Sequence, residues 1–377
     1  MDKEFYKVIK SLMLWSIVLV FLFFNGVIIY DYVGGLEARK ELGEVHTVVL
    51  DYGVTLEKQG DVTNKNDDIS AFYSEYVETY ISMYDNLDML DILEKKQKLS
   101  QGNLSETYAK FLVNNYEKLN QRVEEIKDSG EGNYGFYPGA VYYTHHILYG
   151  KVCKYLLVEM VILMVLAVLY LMDYERIHKT RDVVIATKIG KGVMQKKALA
   201  GLGSGFLFGG FLMAGTFFFF FQCVSFEGLW KVPVASSIMA EPRMQMIYPF
   251  ITFWKLTEGE YFLCSIIVLL LVVLLAGGIT IALQLLLQNS YFTFLVESLL
   301  YMALILVAFW NTMTIFDVVK NVLNPVCLWI TCGGWFMEND VSLSFAGSEF
   351  ICIAISAVLI GFGILLGKRR YERLEIK

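Results

Sequence analysis

LMLWSIVLVFLFFNGVIIY, residues 12–30, carries no charged side chain and a single amide, Asn25. A helix of this length reaches about 28 Å, close to the ~30 Å thickness of a bilayer's hydrocarbon core. It has no polar face to turn toward water. In hydrocarbon every backbone group must find its partner within the segment, so the run predicts a membrane-spanning helix. Phe24, Asn25, Gly26 and Val27 run straight into Ile28, Ile29 and Tyr30 without a small-residue cleavage site, so an uncleaved anchor is expected instead of a signal peptide.

Five further apolar runs follow, at 152–172, 199–224, 261–287, 292–316 and 350–367. Across the 377 residues 56% are hydrophobic and mean hydropathy is +0.49, too apolar for one soluble domain to hide. The expected fold class is an all-α polytopic membrane protein with six transmembrane helices and an extracellular helical-hairpin domain. The chain divides into a tail and first span at 1–31, the extracellular domain at 32–151, a second span at 152–172, a cytoplasmic segment at 173–198, and spans three to six with their loops at 199–377.

Orientation follows the basic residues close to the spans. Lys3, Lys7 and Lys10 precede the first span, and Lys368, Arg369, Arg370 and Arg373 follow the last. Arg176, Lys179, Arg181, Lys188, Lys191, Lys196 and Lys197 crowd the connection between spans two and three. These three segments are expected in the cytoplasm, leaving 31–151, 225–260 and 317–349 outside. The short connection at 288–291 is cytoplasmic and uncharged.

Between residues 37 and 131 stand 20 acidic and 11 basic side chains, a net charge of −9. Such a surface attracts a cationic ligand over roughly a Debye length, and it serves equally as a solvated face that resists aggregation. Ile69, Phe72, Tyr73, Tyr76, Tyr80, Tyr84 and Leu87 recur at helical spacing, as do Leu104, Tyr108, Phe111, Leu112, Leu119, Val123 and Ile126. With a short connection at 99–102, the two stripes predict an antiparallel hairpin whose tyrosines are mostly core. Asn103 and Glu106 have the spacing of a capping box at the second helix. Gly130 and the turn residues up to Gly139 end the hairpin. His145 and His146 are adjacent and diverge by about 100° on a helix, so they make a poor chelating pair, and no metal site is expected.

Residues 173–197 read DYERIHKTRDVVIATKIGKGVMQKK: a charged turn, a short amphipathic helix around Val183, Val184 and Ile189, a glycine-marked break and a basic re-entry. The simplest reading is a helix lying flat at the lipid interface. The acidic-basic turn followed by Thr187, Lys188 and Gly190, with a lysine entering span three, resembles the permease subunits of type-2 ABC transporters. The resemblance is in particular to the Gram-positive members with a large insert between spans one and two. The topology covers the whole chain, the motif about 25 residues. The resemblance implies that this segment is a coupling helix seated in a groove of an ATPase. Glu175, Arg176, Thr180, Arg181, Asp182 and Lys188 are then the docking positions.

Gly190, Lys191 and Gly192 lack the upstream glycine and the following Ser or Thr of a phosphate-binding loop. The chain is not expected to be an enzyme by itself, and it carries no cofactor of its own. ATP and Mg are expected in a partner ABC ATPase. A second permease copy or a paralogue and membrane lipid complete the expected partners, with no nucleic acid among them.

Carboxylates within a bilayer cost about 2.5–3.5 kcal/mol on insertion scales, so Glu159 and Glu297 are expected to face protein or water. With Gln222, Gln284 and Asn311 they are the candidates for a translocation path. Gly201, Gly205 and Gly209 form a small-residue stripe on span three, read first as a contact within one subunit. Asn324, Pro325, Cys327, Trp329, Cys332, Gly333, Gly334 and Trp335 suit broken helices near an interface. In the resembled family this region forms short helices closing the outer end of the path. No disulfide framework is indicated. The expected function is export of an amphipathic or cationic peptide, toxin or antimicrobial, from a bacterial plasma membrane. The alternative is a non-transporting receptor or immunity protein that captures a ligand with its extracellular domain.

Overall fold

The computed structural model describes residues 2–34, 84–85, 87–99, 104–131, 145–180, 190–224, 226, 230–236, 238–241, 246–249, 251–337 and 345–374. In chain order the helices are α1 (Asp2–Ile9), α2 (Leu12–Ile29), α3 (Met89–Leu99), α4 (Glu106–Ser129), α5 (Lys154–Met172), α6 (Tyr174–Ile177), α7 (Gly190–Cys223), α8 (Glu258–Leu287), α9 (Ser290–Phe309), α10 (Ile315–Val322), α11 (Val326–Ile330) and α12 (Ser348–Leu374). A π-helical turn, Tyr30–Gly34, extends α2, and another, His146–Cys153, leads into α5.

Among the described residues six helical segments are long and apolar enough to cross a membrane: Leu12–Val33, Ile147–Met172, Met194–Cys223, Glu258–Leu287, Ser290–Phe309 and Ser348–Tyr371. The protein is an all-α polytopic membrane protein. One small exception lies in the connection after α7, where β1 (Ile238–Glu241) and β2 (Met246–Pro249) pair antiparallel with Ile238 opposite Pro249.

The spans centred on α5 and α8 are mostly enclosed, whereas α2, α9 and α12 turn most of their surface outward. The tightest pairings are α5 with α7 and α8 with α12, and α5 against α8 joins the two pairs. The glycine stripe makes the first pairing. A Cβ at Gly205 would lie 2.5 Å from Met164 Sδ and 3.0 Å from its Cα, and one at Gly201 would lie 3.0 Å from the Val168 Cα. Small residues let these backbones meet within one subunit.

Span five differs from its sequence expectation. The apolar run continues to residue 316, yet α9 stops at Phe309 and Trp310 turns extended. The Asp317 carboxylate accepts from the Thr312 and Thr314 amides, and Thr314 with Asp317 forms a capping box that starts α10. Capping chemistry outweighs hydropathy here. Lys320 then donates to the Val307 carbonyl at 3.0 Å and to that of Trp310, satisfying carbonyls that the end of α9 leaves open.

In the insert, α3 packs antiparallel on α4, and Tyr84, Tyr108 and Tyr116 are buried as expected of a core stripe. Two expectations are corrected. The first helical stripe does not continue through Leu87, because the chain turns there and restarts at Met89 with Asp88 Oδ1 accepting from the Leu90 amide. Residues 69–83, the rest of that stripe, lie outside the described residues. The N-cap of α4 is Ser105, whose side chain accepts from the Tyr108 amide, in place of Asn103. Gly130 closes α4 in the left-handed conformation, φ 68°.

Candidate functional site

The described residues bring together several polar constellations and a groove. Where both termini emerge, the chain leaves α5 through Asp173 into α6. Glu175 is buried and its carboxylate pairs with Lys197 on α7 and, at 3.5 Å, with Lys7 on α1. Arg176 donates to the Gln288 carbonyl at 2.8 Å, and Gln288 ends α8 in the left-handed conformation, φ 54°. Asp173 accepts from the Ser290 hydroxyl at the start of α9. Thr180 donates its amide to the Glu175 carbonyl at 2.8 Å, closing the turn through Lys179, φ 54°. The α5–α6 junction is thereby fastened to α1, α7, α8 and α9. Arg181, Asp182 and Lys188 lie outside the described residues.

Within the bundle, Asn25 of α2 donates to Glu159 Oε2 at 2.7 Å and to the Thr216 hydroxyl at 3.1 Å. All three side chains are buried, so the amide links α2, α5 and α7 through hydrogen bonds. Glu159 Oε1 is buried with no hydrogen-bond partner among the described residues.

The groove lies between α5, α8 and α9, and α11 covers one end of it. Its volume is about 440 Å³, and its walls include Val158, Ile162, Ile279, Ser298 and Trp329. Glu297 is the only ionisable acid or base among the lining side chains apart from Tyr301. It is 2% exposed, and its Oε1 accepts from the Thr280 hydroxyl at 2.9 Å and from Tyr301 at 3.3 Å. Its Oε2 is buried with no hydrogen-bond partner among the described residues. The cover is held by a reciprocal pair: Lys154 Nζ donates to the Ile330 carbonyl at 3.2 Å, and Trp329 Nε1 donates to the Lys154 carbonyl at 3.3 Å.

The candidate path residues do not share one site. Glu297 lines the groove, and Glu159 sits in the Asn25 cluster. Gln284 accepts from Thr293 at 2.7 Å, bracing α8 against α9 near their connection. Gln222 and Asn311 are exposed, Gln222 in the last turn of α7 and Asn311 just past α9. A single carboxylate is too few ligands to hold a metal in the groove. Among the described residues no group of three metal-ligating side chains forms elsewhere.

At the insert end, sequence reasoning missed a buried cluster at the start of α8. His145 Nδ1 lies 3.1 Å from Glu258 Oε1, the Tyr149 hydroxyl donates to the same oxygen at 3.2 Å, and the Tyr149 and Tyr261 rings are edge-on at 4.9 Å. His145 and Glu258 stand 113 residues apart, so no local spacing announced them. The insert itself rests on Arg122, which pairs with Glu131 at 2.6 Å and donates to the Thr252 carbonyl at 3.3 Å. Burial acts against the Glu131 charge, but hydrogen bonds from Arg122 and Ser129 outweigh it and hold this carboxyl below its usual range. None of the six cysteines forms a disulfide.

No family model, curated protein or solved structure matches the chain.

Proposed function

We propose that this chain is the permease subunit of an ATP-driven exporter of the type-2 ABC class, working in a bacterial plasma membrane with both termini in the cytoplasm. Its cargo is an amphipathic or cationic peptide, a toxin or an antimicrobial. ATP and Mg belong to a separate ATPase, and a second permease copy or a paralogue completes the transporter. The large insert faces outward.

One observation carries the reading: the fastening of the α5–α6 junction to four other helices through Glu175, Arg176 and Asp173. A segment lying free on lipid needs no such anchoring. A docked ATPase pushing on 174–188 would pass its motion through the Glu175 ion pairs to α1 and α7, and through Arg176 to the turn between α8 and α9. The groove supports the cargo class, since it joins an apolar wall to one carboxylate.

The test is co-purification of the full chain with the ATPase encoded beside it. Wild type is expected to retain an active ATPase, and the pair of substitutions Arg181→Glu and Asp182→Arg to release it. A chain that binds no ATPase, or keeps it unchanged in the double variant, overturns the reading and favours ligand capture by the insert.

A further inference from the structure

We infer that the groove between α5, α8 and α9 is a lateral binding site for a hydrophobic ammonium, whose charged head sits on Glu297 and whose apolar body lies along Val158, Ile162 and Ile279. This rests on the groove alone and does not need the exporter reading.

Three features converge on that ligand. The volume, about 440 Å³, is within the range of small-molecule sites and too small for a folded peptide. Its walls are apolar apart from Glu297, Ser298, Tyr301 and the Trp329 indole N–H, so the ligand's body must be apolar too. At the groove wall stands a side chain 2% exposed, held in place by Thr280 and Tyr301 through one oxygen, with its second oxygen unpartnered among the described residues. Glu159 and Glu258 also leave one oxygen without a hydrogen-bond partner among the described residues, but of the three only Glu297 lines the groove. Here one oxygen is fixed and the other remains available to a donor, and an ammonium supplies donor and counter-charge at once.

The position of Glu297 adds selectivity. A neutral apolar molecule gains the walls and leaves the carboxylate unsatisfied, whereas an anion adds repulsion in a low-dielectric surrounding. The same ammonium chemistry comes from a free amphipathic amine or from a lysine beside apolar residues in a short peptide.

The experiment uses the full chain in phosphatidylcholine nanodiscs and measures equilibrium binding of radiolabelled octylamine at neutral pH, with octanol as the neutral competitor. Saturable binding is expected, displaced by octanol only at concentrations at least about tenfold above those at which unlabelled octylamine displaces it. Glu297→Gln keeps an oxygen for Thr280 and Tyr301 but loses the charge, and should weaken binding about ten- to a hundredfold. Ser298→Phe, on an exposed position of the wall, fills the groove and should abolish binding while leaving the thermal melt near wild type. Glu349→Gln, a change at a buried carboxylate outside the groove, should bind as wild type. Displacement by unlabelled amine alone identifies a free amine as the ligand source, and displacement also by a short lysine-containing apolar peptide identifies the peptide source. Non-saturable uptake, equal displacement by octanol, or full affinity in both Glu297→Gln and Ser298→Phe overturns the inference.

Discussion

The Asn25 amide on the first span donates to the Glu159 carboxylate on the second across 2.7 Å, and neither side chain reaches the surface. Removing the donor leaves Glu159 without its hydrogen-bonding partner in a region that cannot supply water. Asn25→Val should therefore destabilise the bundle by about 1–3 kcal/mol. Replacing both partners, Asn25→Val with Glu159→Met, should recover most of that loss, since the buried carboxylate is then no longer stranded and only the Thr216 hydroxyl loses its donor. Thermal melts in one mild detergent decide it. A double variant no more stable than the single one would contradict the pairing.

The glycine stripe gives a contrast along one helix. A Cβ at Gly205 would meet Met164 at 2.5 Å, and one at Gly210 would meet nothing within 4 Å. Gly205→Val should cost about 1–3 kcal/mol by overpacking. Gly210→Ala should leave the melting temperature unchanged or slightly raised, because the helix gains propensity at no steric cost. Equal behaviour of the two variants would show that α5 and α7 do not meet on this face.

Lys7 and Lys197 both approach Glu175, but the first side chain is 26% exposed and the second 4%. Lys197→Met removes the buried partner and should destabilise the chain by about 3 kcal/mol. Lys7→Met, with water still near the head group, should cost no more than about 1 kcal/mol. Denaturation monitored by tryptophan fluorescence ranks the two, and the reverse order would rule out Lys197 as the principal partner.

The docking of the insert should depend on pH. Glu131 is held below its usual range when folded, so its contribution is fully present above the unfolded value, about 4.3. As pH falls through the lower folded value, the carboxyl takes a proton and the contribution is lost. Limited proteolysis of the full chain should show the insert protected at pH 7 and more readily cleaved near pH 3. Arg122→Met should bring cleavage already at pH 7, since Glu131 loses its main counter-charge. A pH-independent digest would argue against the ion pair as an anchor.

The spans were legible because hydrocarbon permits so few backbone solutions that runs of apolar residues suffice. Gly201, Gly205 and Gly209 were legible as a packing face because their spacing is helical, and the structure shows the partner is α5. The end of span five was not, since Thr314 and Asp317 terminate an otherwise apolar run through side-chain hydrogen bonds that hydropathy does not weigh. Glu297 was visible as an intramembrane carboxylate, but the groove beside it depends on the rotation of α9 against α5 and α8. Likewise, nothing in a single sequence joins Asn25 to Glu159 or His145 to Glu258 across 134 and 113 residues.

The insert touches the bundle's connections at separated points: Ser105 donates its amide to the Met313 carbonyl, Tyr84 donates to that of Ala235, and Arg122 reaches Thr252. These contacts seat α4 near both of its ends, Ser105 on the loop that follows α9 and Arg122 on the loop that follows α7. Its 24 residues, roughly 36 Å of rigid helix, are therefore a strut that fixes the spacing of those two loops. A pair of spin labels, one on each loop, would read that spacing directly, and a change in it would report movement of α7 and α8 relative to α9.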